Sequence, residues 1–172
     1  MRELKRRKEQ MSSRPSSNET NALPRWIAPS GIDLSLYPID GVLRQALSSN
    51  DDEFRSGCTL LKSMCGTGRL EAGVFLLGLL SRNAANYSRL TQIADALASY
   101  PSPETVSAFY AELRRVRGSS ATRAYLRRIV EALGAFPPQL TEEAIFSLST
   151  DPLIGVRFRQ RLTALLKSYD PW

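Results

Sequence analysis

The sequence predicts an all-α chain, an α-solenoid of about four antiparallel helix pairs with a 36-residue repeat, behind a disordered N-terminal arm. Three observations predict it. Apolar residues recur at i, i+3, i+4, i+7, the stripe of an amphipathic helix, as Leu90, Ile93, Ala94, Leu97 and again as Leu126, Ile129, Val130, Leu133. The same spacing gives Leu162, Leu165, Leu166, Tyr169 and, more weakly, Phe54, Gly57, Cys58, Leu61, every set standing 36 residues from the next. That step also relates Met64, Tyr100, Phe136 and Trp172, and Pro101 to Pro137. Finally, no stretch alternates apolar and polar residues with β-branched enrichment, so strand signals are absent.

Residues 1–38 divide into two parts. Residues 1–25 are polar and Ser/Asn-rich with no spaced apolar face, too little to offset the entropy of ordering. Residues 26–38 hold Pro and Gly breakers between Trp26, Ile27, Leu34, Leu36 and Tyr37, and read as an extended segment pinned by its apolar side chains. The helical domain spans residues 39–172. Partner helices are predicted between the stripes: Asp40 to Leu47, Arg69 to Leu80, Glu104 to Val116 and Thr141 to Leu148. Ser102-Pro103-Glu104 and Asp151-Pro152 place a proline at or near a first helical position after a capping side chain. Gly66, Gly118 and Pro137-Pro138 fall where the chain must reverse. One hairpin of helices cannot bury its own stripe, whereas stacked neighbours share a continuous core.

Composition then removes whole classes of chemistry. The 172 residues contain no run approaching the ~18 apolar residues that span a bilayer, so no integral membrane association is expected. With no histidine there is no imidazole base or ligand. Cys58 and Cys65, seven apart, cannot build a four-ligand metal site. On one helix they stand ~10 Å apart, too far to bridge, as suits a reducing compartment. Neither a metal nor a cofactor is expected. No apolar core follows the basic start, which argues against a secretory signal. Glu3, Glu9 and Glu19 argue against a transit peptide, so the cytoplasm is expected. Asp51-Asp52-Glu53 and Glu142-Glu143 lie near expected helix N-termini, where the macrodipole favours acids. Gly66-Thr67-Gly68 lacks the Lys-Ser/Thr of a phosphate loop.

Asp151-Pro152-x-x-x-Val156-Arg157, followed by Leu162, Ala164 and Leu165, resembles the second-helix signature of HEAT repeats. Asp51-Asp52-Glu53-Phe54-Arg55 leading to Leu60-Leu61 is a weaker echo, and the resemblance covers roughly residues 40–170. Armadillo-like repeats share the helix-pair architecture, and so do tetratricopeptide repeats, whose Trp/Leu-Gly/Tyr spacing is missing here. The resemblance implies a non-catalytic adaptor or scaffold that binds a protein partner on its concave helical surface. Among HEAT-like enzymes, the protein hydroxylases need His-Glu metal ligands, absent here. The glycosylases need aromatic residues facing DNA. The bilin lyases, which have no compact motif, remain a fold analogy alone.

Arginine is the one constellation above background, 19 of the 23 cations. Net charge is +4 over residues 1–25, −3 over 26–112 and +5 over 113–172. Arg114, Arg115 and Arg117 end one predicted helix, Arg123, Arg127 and Arg128 lie on the next, and Arg157, Arg159 and Arg161 follow a repeat later. Most fall off the apolar stripe, so stacking would gather them into a ridge on the second helices. The candidate binding residues are Arg123, Tyr125, Arg127, Arg128, Arg159 and Arg161, with Arg89 and Gln92 at the less charged end. Such a ridge fits an acidic protein segment or, as the alternative, nucleic-acid phosphates, with the basic arm Arg2, Lys5, Arg6, Arg7, Lys8 assisting. A solvated face and helix C-termini favouring cations would explain many of the same residues.

Overall fold

A computed structural model describes residues 25, 27, 28 and 30–169, which divide at Asp33/Leu34 into two units. The expected basic arm, Trp26 and Trp172 lie outside the described residues. In the first unit Ile27–Ala28 (β1) and Gly31–Ile32 (β2) pair antiparallel, Ile27 opposite Ile32 and Ala28 opposite Gly31. Gly31 has φ +124°, which a Cβ would make strained. Two-residue strands are too short to show alternation, which is why the sequence reads here as merely extended. The change of unit falls before the composition boundary at residue 38 because Arg69 reaches back. Its Nη1 donates to the Tyr37 carbonyl at 2.6 Å and the Leu34 carbonyl at 3.5 Å, holding 34–37 with the helices.

The second unit holds eight helices among the described residues: α1 (Ile39–Ala46), α2 (Asp51–Gly66), α3 (Leu70–Arg82), α4 (Tyr87–Leu97), α5 (Pro103–Arg115), α6 (Arg123–Ala135), α7 (Pro138–Thr150) and α8 (Val156–Tyr169). Their ends follow local chemistry. Asn50 caps α2 by accepting from the Asp52 and Glu53 amides at 2.9 and 3.2 Å. Ser102 caps α5 at the Thr105 amide, 3.2 Å, with Pro103 as the first helical residue. At the end of α2, Gly68 (φ +84°) turns the chain so that the amides of Gly68 and Arg69 reach the carbonyls of Cys65 and Met64, each at 3.0 Å.

Three local readings are corrected. Asp151-Pro152 does not open a helix: Asp151 follows α7, and its Oδ1 accepts from the Leu153 amide at 2.9 Å, an Asx turn that delays α8 to Val156. Pro138, expected in a reversal, is the first residue of α7. The pair Glu142-Glu143 is exposed beyond the first turn of α7, so the macrodipole does not explain it.

Helices of each expected pair touch, α1 with α2, α3 with α4, α5 with α6, α7 with α8. Between pairs α2 packs on α4, α4 on α6, and α5 on α7, while α2–α3 and α6–α7 meet across their turns. The predicted stripes are the core: Leu61, Leu90, Ile93, Leu97, Ile129, Leu133 and Leu162 have no exposed surface. Met64 and Phe136 are buried and Tyr100 is partly buried against the same core. On α8, Leu165, Leu166 and Tyr169 are only partly buried. Cys58 and Cys65 are free and buried, and burial pushes their thiols up to about 12 and about 11. Among the described residues no helix is long and apolar enough to cross a membrane, and no group of His, Cys, Asp and Glu is placed to hold a metal ion.

Close approach depends on Gly57. A Cβ there would lie 2.5 Å from the Ala46 amide nitrogen, so α1 crosses α2 only because position 57 has no side chain. Gly78, on the exposed side of α3, would meet nothing within 4 Å. Gly57→Ala should therefore cost about 1–3 kcal/mol by forcing the helices apart. Gly78→Ala should stabilise the domain by about 0.5–1 kcal/mol. Urea unfolding of the two variants checks the pair, and equal effects would contradict the crossing.

Candidate functional site

The side chains off the apolar stripes of α2, α4, α6 and α8 form the candidate surface. Packing α2 on α4 and α4 on α6 brings Arg55, Lys62, Gln92, Asp95 and Arg128 around one shallow cleft of about 260 Å³, floored by Cys58 and Ala96. Asp95 stands at its centre. Its Oδ2 accepts from Lys62 Nζ at 2.7 Å, and its Oδ1 pairs with the Arg128 guanidinium. Arg128 also meets Glu131 at 3.3 Å, and Arg127 Nε donates to Glu131 Oε1 at 2.7 Å. The Arg127 hydrogen bond, seconded by Arg128, holds the Glu131 carboxyl below its ordinary range. Gln92 is half-buried, and its Oε1 has no hydrogen-bond partner among the described residues. The central ridge thus alternates in charge instead of being uniformly basic.

Two expected site residues belong to the scaffold. Arg89 sends Nε and Nη2 to Asp51 Oδ1 at 2.8 and 2.6 Å, and its Nη1 and Nη2 to the Ser48 and Ser49 carbonyls at 3.0 and 2.7 Å. Its guanidinium lies 4.4 Å over the Phe54 ring, and the side chain is only 15% exposed. Arg89 clamps α4 to the turn before α2. Tyr125, expected as the one ring in the ridge, has no exposed surface. Its hydroxyl donates to Glu112 Oε2 at 2.7 Å, tying α6 to α5, and Arg115 holds the same carboxylate at 2.7 and 2.6 Å. Burial first, and then Glu112, raises the Tyr125 phenol above its usual range. The signal was present: residue 125 stands one helical turn before Ile129, on the core stripe.

Arg114 is likewise held, by Asp151 at 3.0 Å. Arg123, Arg157, Arg159 and Arg161 gather at the other end of the ridge, whereas Arg117 is exposed and lines none of the clefts there. Arg123, at the start of α6, lines a cleft of about 510 Å³ together with Arg157, Phe158, Gln160 and Arg161 of α8. Arg123, Arg157 and Arg161 form no ion pair among the described residues. Arg159 lies beside a neighbouring cleft with Thr163 and Lys167, half-buried, its Nε covered and without a partner among the described residues. The structure therefore divides the expected site: Arg127 and Arg128 are internally paired, while Arg123 and Arg161 share an open cleft that Arg157 completes. Comparison of the chain with family models, with curated proteins and with solved structures gives no match.

Tyr125→Phe removes a charge-assisted hydrogen bond in a covered site and should cost about 1.5–3 kcal/mol. Arg127→Gln removes an exposed i, i+4 pair and should cost less than about 0.5 kcal/mol. Chemical denaturation of both variants checks the order, and a costlier Arg127→Gln would contradict the assignment of Tyr125 to the scaffold.

Proposed function

We propose that the chain is a non-catalytic adaptor of HEAT-like type. Its four helix pairs stack as an α-solenoid, and the face made by α2, α4 and α6 receives a segment of a protein partner. The pattern of helix contacts supports the stacking, since second helix lies on second helix from α2 to α6. One observation carries the choice of partner. Along this face Lys62, Asp95, Arg128 and Glu131 alternate in sign and neutralise one another. A polyanion laid along it would meet two carboxylates and would have to break their pairs. A polypeptide presents alternating donors and acceptors of its own, and the unpartnered Gln92 Oε1 is an acceptor for a backbone N–H.

Nucleic acid, the alternative, is weakened because Tyr125, the one ring among the candidate residues, is in the core and Arg127 and Arg128 already hold carboxylates. The test places a photo-crosslinking residue at Gln92 or Thr59 in the groove, and at exposed Glu104 on α5 as control. Discrete protein adducts are expected from the groove positions only, and Asp95→Arg should abolish them. A fluorescent duplex and single strands titrated across salt provide the opposing outcome. Micromolar binding lost in Arg123→Ala/Arg127→Ala/Arg128→Ala, with a log–log salt slope near −0.9 per phosphate on duplex DNA, would replace the adaptor reading.

A further inference from the structure

Charges along the second helices follow a second, oblique step. Lys62, Asp95 and Arg128 are 33 residues apart, three short of the apolar repeat, and their side chains touch in that order. The same step leads to Arg161, so the row reads plus, minus, plus and then plus again. No acid follows. From Val156 to Tyr169, α8 carries Arg157, Arg159, Arg161 and Lys167 and neither Asp nor Glu. Arg123 and Arg157 also stand in the first turns of α6 and α8, which hold no acidic residue. Helix N-termini are ends at which the peptide dipoles already add positive potential.

The cleft between them joins these features. Arg123, Arg157 and Arg161 line it with no ion-pair partner among the described residues, Phe158 supplies an apolar wall, and a smaller cleft of about 340 Å³ adjoins it at Ser119 and Ser120 in the turn before α6. Seven other arginines of the domain, Arg55, Arg69, Arg89, Arg114, Arg115, Arg127 and Arg128, each hold a carboxylate, and of those in no ion pair among the described residues only Arg123, Arg157 and Arg161 line this one cleft. Three guanidiniums lining one cleft beside an aromatic wall supply the donors and the charge for a tetrahedral dianion, since arginine forks match phosphate oxygens in pairs.

From this convergence we infer that the Arg123–Arg157–Arg161 cleft is a binding site for a phosphate monoester carried on a peptide. The carrier follows from the surroundings. Toward α4 the face turns to the neutralised pairs of Asp95 and Glu131, while Arg159 and Lys167 line the adjoining cleft on α8, so a train of phosphates running toward α4 would meet carboxylates. The peptide carrier rests on the protein-partner reading above, whereas the phosphate site itself stands on the cleft alone.

The test uses the full chain, with phenyl phosphate followed by NMR of the arginine Nε–H signals and phenyl sulfate as control. Shifts are expected at Arg123, Arg157 and Arg161 and not at Arg89 or Arg115. Arg157→Gln/Arg161→Gln should weaken binding at least tenfold, and Arg123→Gln severalfold. Arg127→Gln should leave it within twofold, with the melting curves of all variants superposable on the parent's. Binding of phenyl phosphate should rise severalfold from pH 5 to 7 as its second proton leaves, at a pKa of about 6. That of phenyl sulfate, a monoanion with no second proton to lose, should stay level, and the chain has no histidine. A fluorescent Ala-Gly-Ser peptide with one central phosphoserine should bind at least tenfold more tightly than its unphosphorylated form. Shifts spread over the paired arginines, or affinity indifferent to the double variant, would overturn the site. Oligothymidylate binding tighter than the phosphopeptide and weakened equally by Arg127→Gln would overturn the peptide carrier. Since Gln92 and Asp95 lie outside the cleft, failed groove cross-links with intact phosphate binding would count against the adaptor reading alone.

Discussion

Side-to-side packing of α2, α4 and α6 is the constraint on which the rest of this domain depends. Leu61, Ile93, Leu97, Ile129 and Leu133 turn inward at that seam with no exposed surface. Burying them fixes the rotation of each helix about its own axis. Once rotation is fixed, every off-stripe residue has a determined direction, because a helix places side chains at a constant angular step. The contacts of Lys62 with Asp95 and of Asp95 with Arg128 are consequences of the apolar seam, not its cause. Pairs as exposed as these contribute little to stability. What they determine is the electrical character of the face.

Arginine accordingly has two uses in one chain. Where a carboxylate lies across a helix contact, the guanidinium becomes part of the scaffold: Arg89 closes on Asp51 and two carbonyls, and Arg115 shares Glu112 with Tyr125. On α8, where no acid follows on the helix, Arg157 and Arg161 face Arg123 across an open cleft. Composition alone, a basic chain with both ends positive, blurs these two uses into one ridge. The difference between them is a matter of which acids the fold brings near, and it decides which cations a ligand can reach.

Much of the architecture was legible in the sequence because it rests on local periodicity. The four apolar stripes locate α2, α4, α6 and α8, and Ser102-Pro103 marks the start of α5. Asp151-Pro152 misleads because an aspartate before proline serves an Asx turn as readily as a helix cap, and only the path of the chain chooses between them. Tyr125 was readable as core from its place one turn before Ile129, but its position among the ridge arginines drew it into the candidate surface. The ion pairs between helices were not readable. Arg89 meets Asp51 across 38 residues and Lys62 meets Asp95 across 33, so each depends on tertiary register. The two-residue strands at Ile27 and Gly31 were equally hidden, being shorter than the period that would reveal them.

Hydrogen exchange of the arginine Nε–H groups, read by NMR on the free protein, tests the division of the arginines most directly. Arg89 and Arg115 donate Nε to carboxylates, at 2.8 and 2.7 Å, and should exchange at least tenfold more slowly than Arg123, Arg157 and Arg161. Equal rates across all five, or protection of the cleft arginines in the absence of any anion, would contradict the division between scaffold cations and cations held open for a ligand.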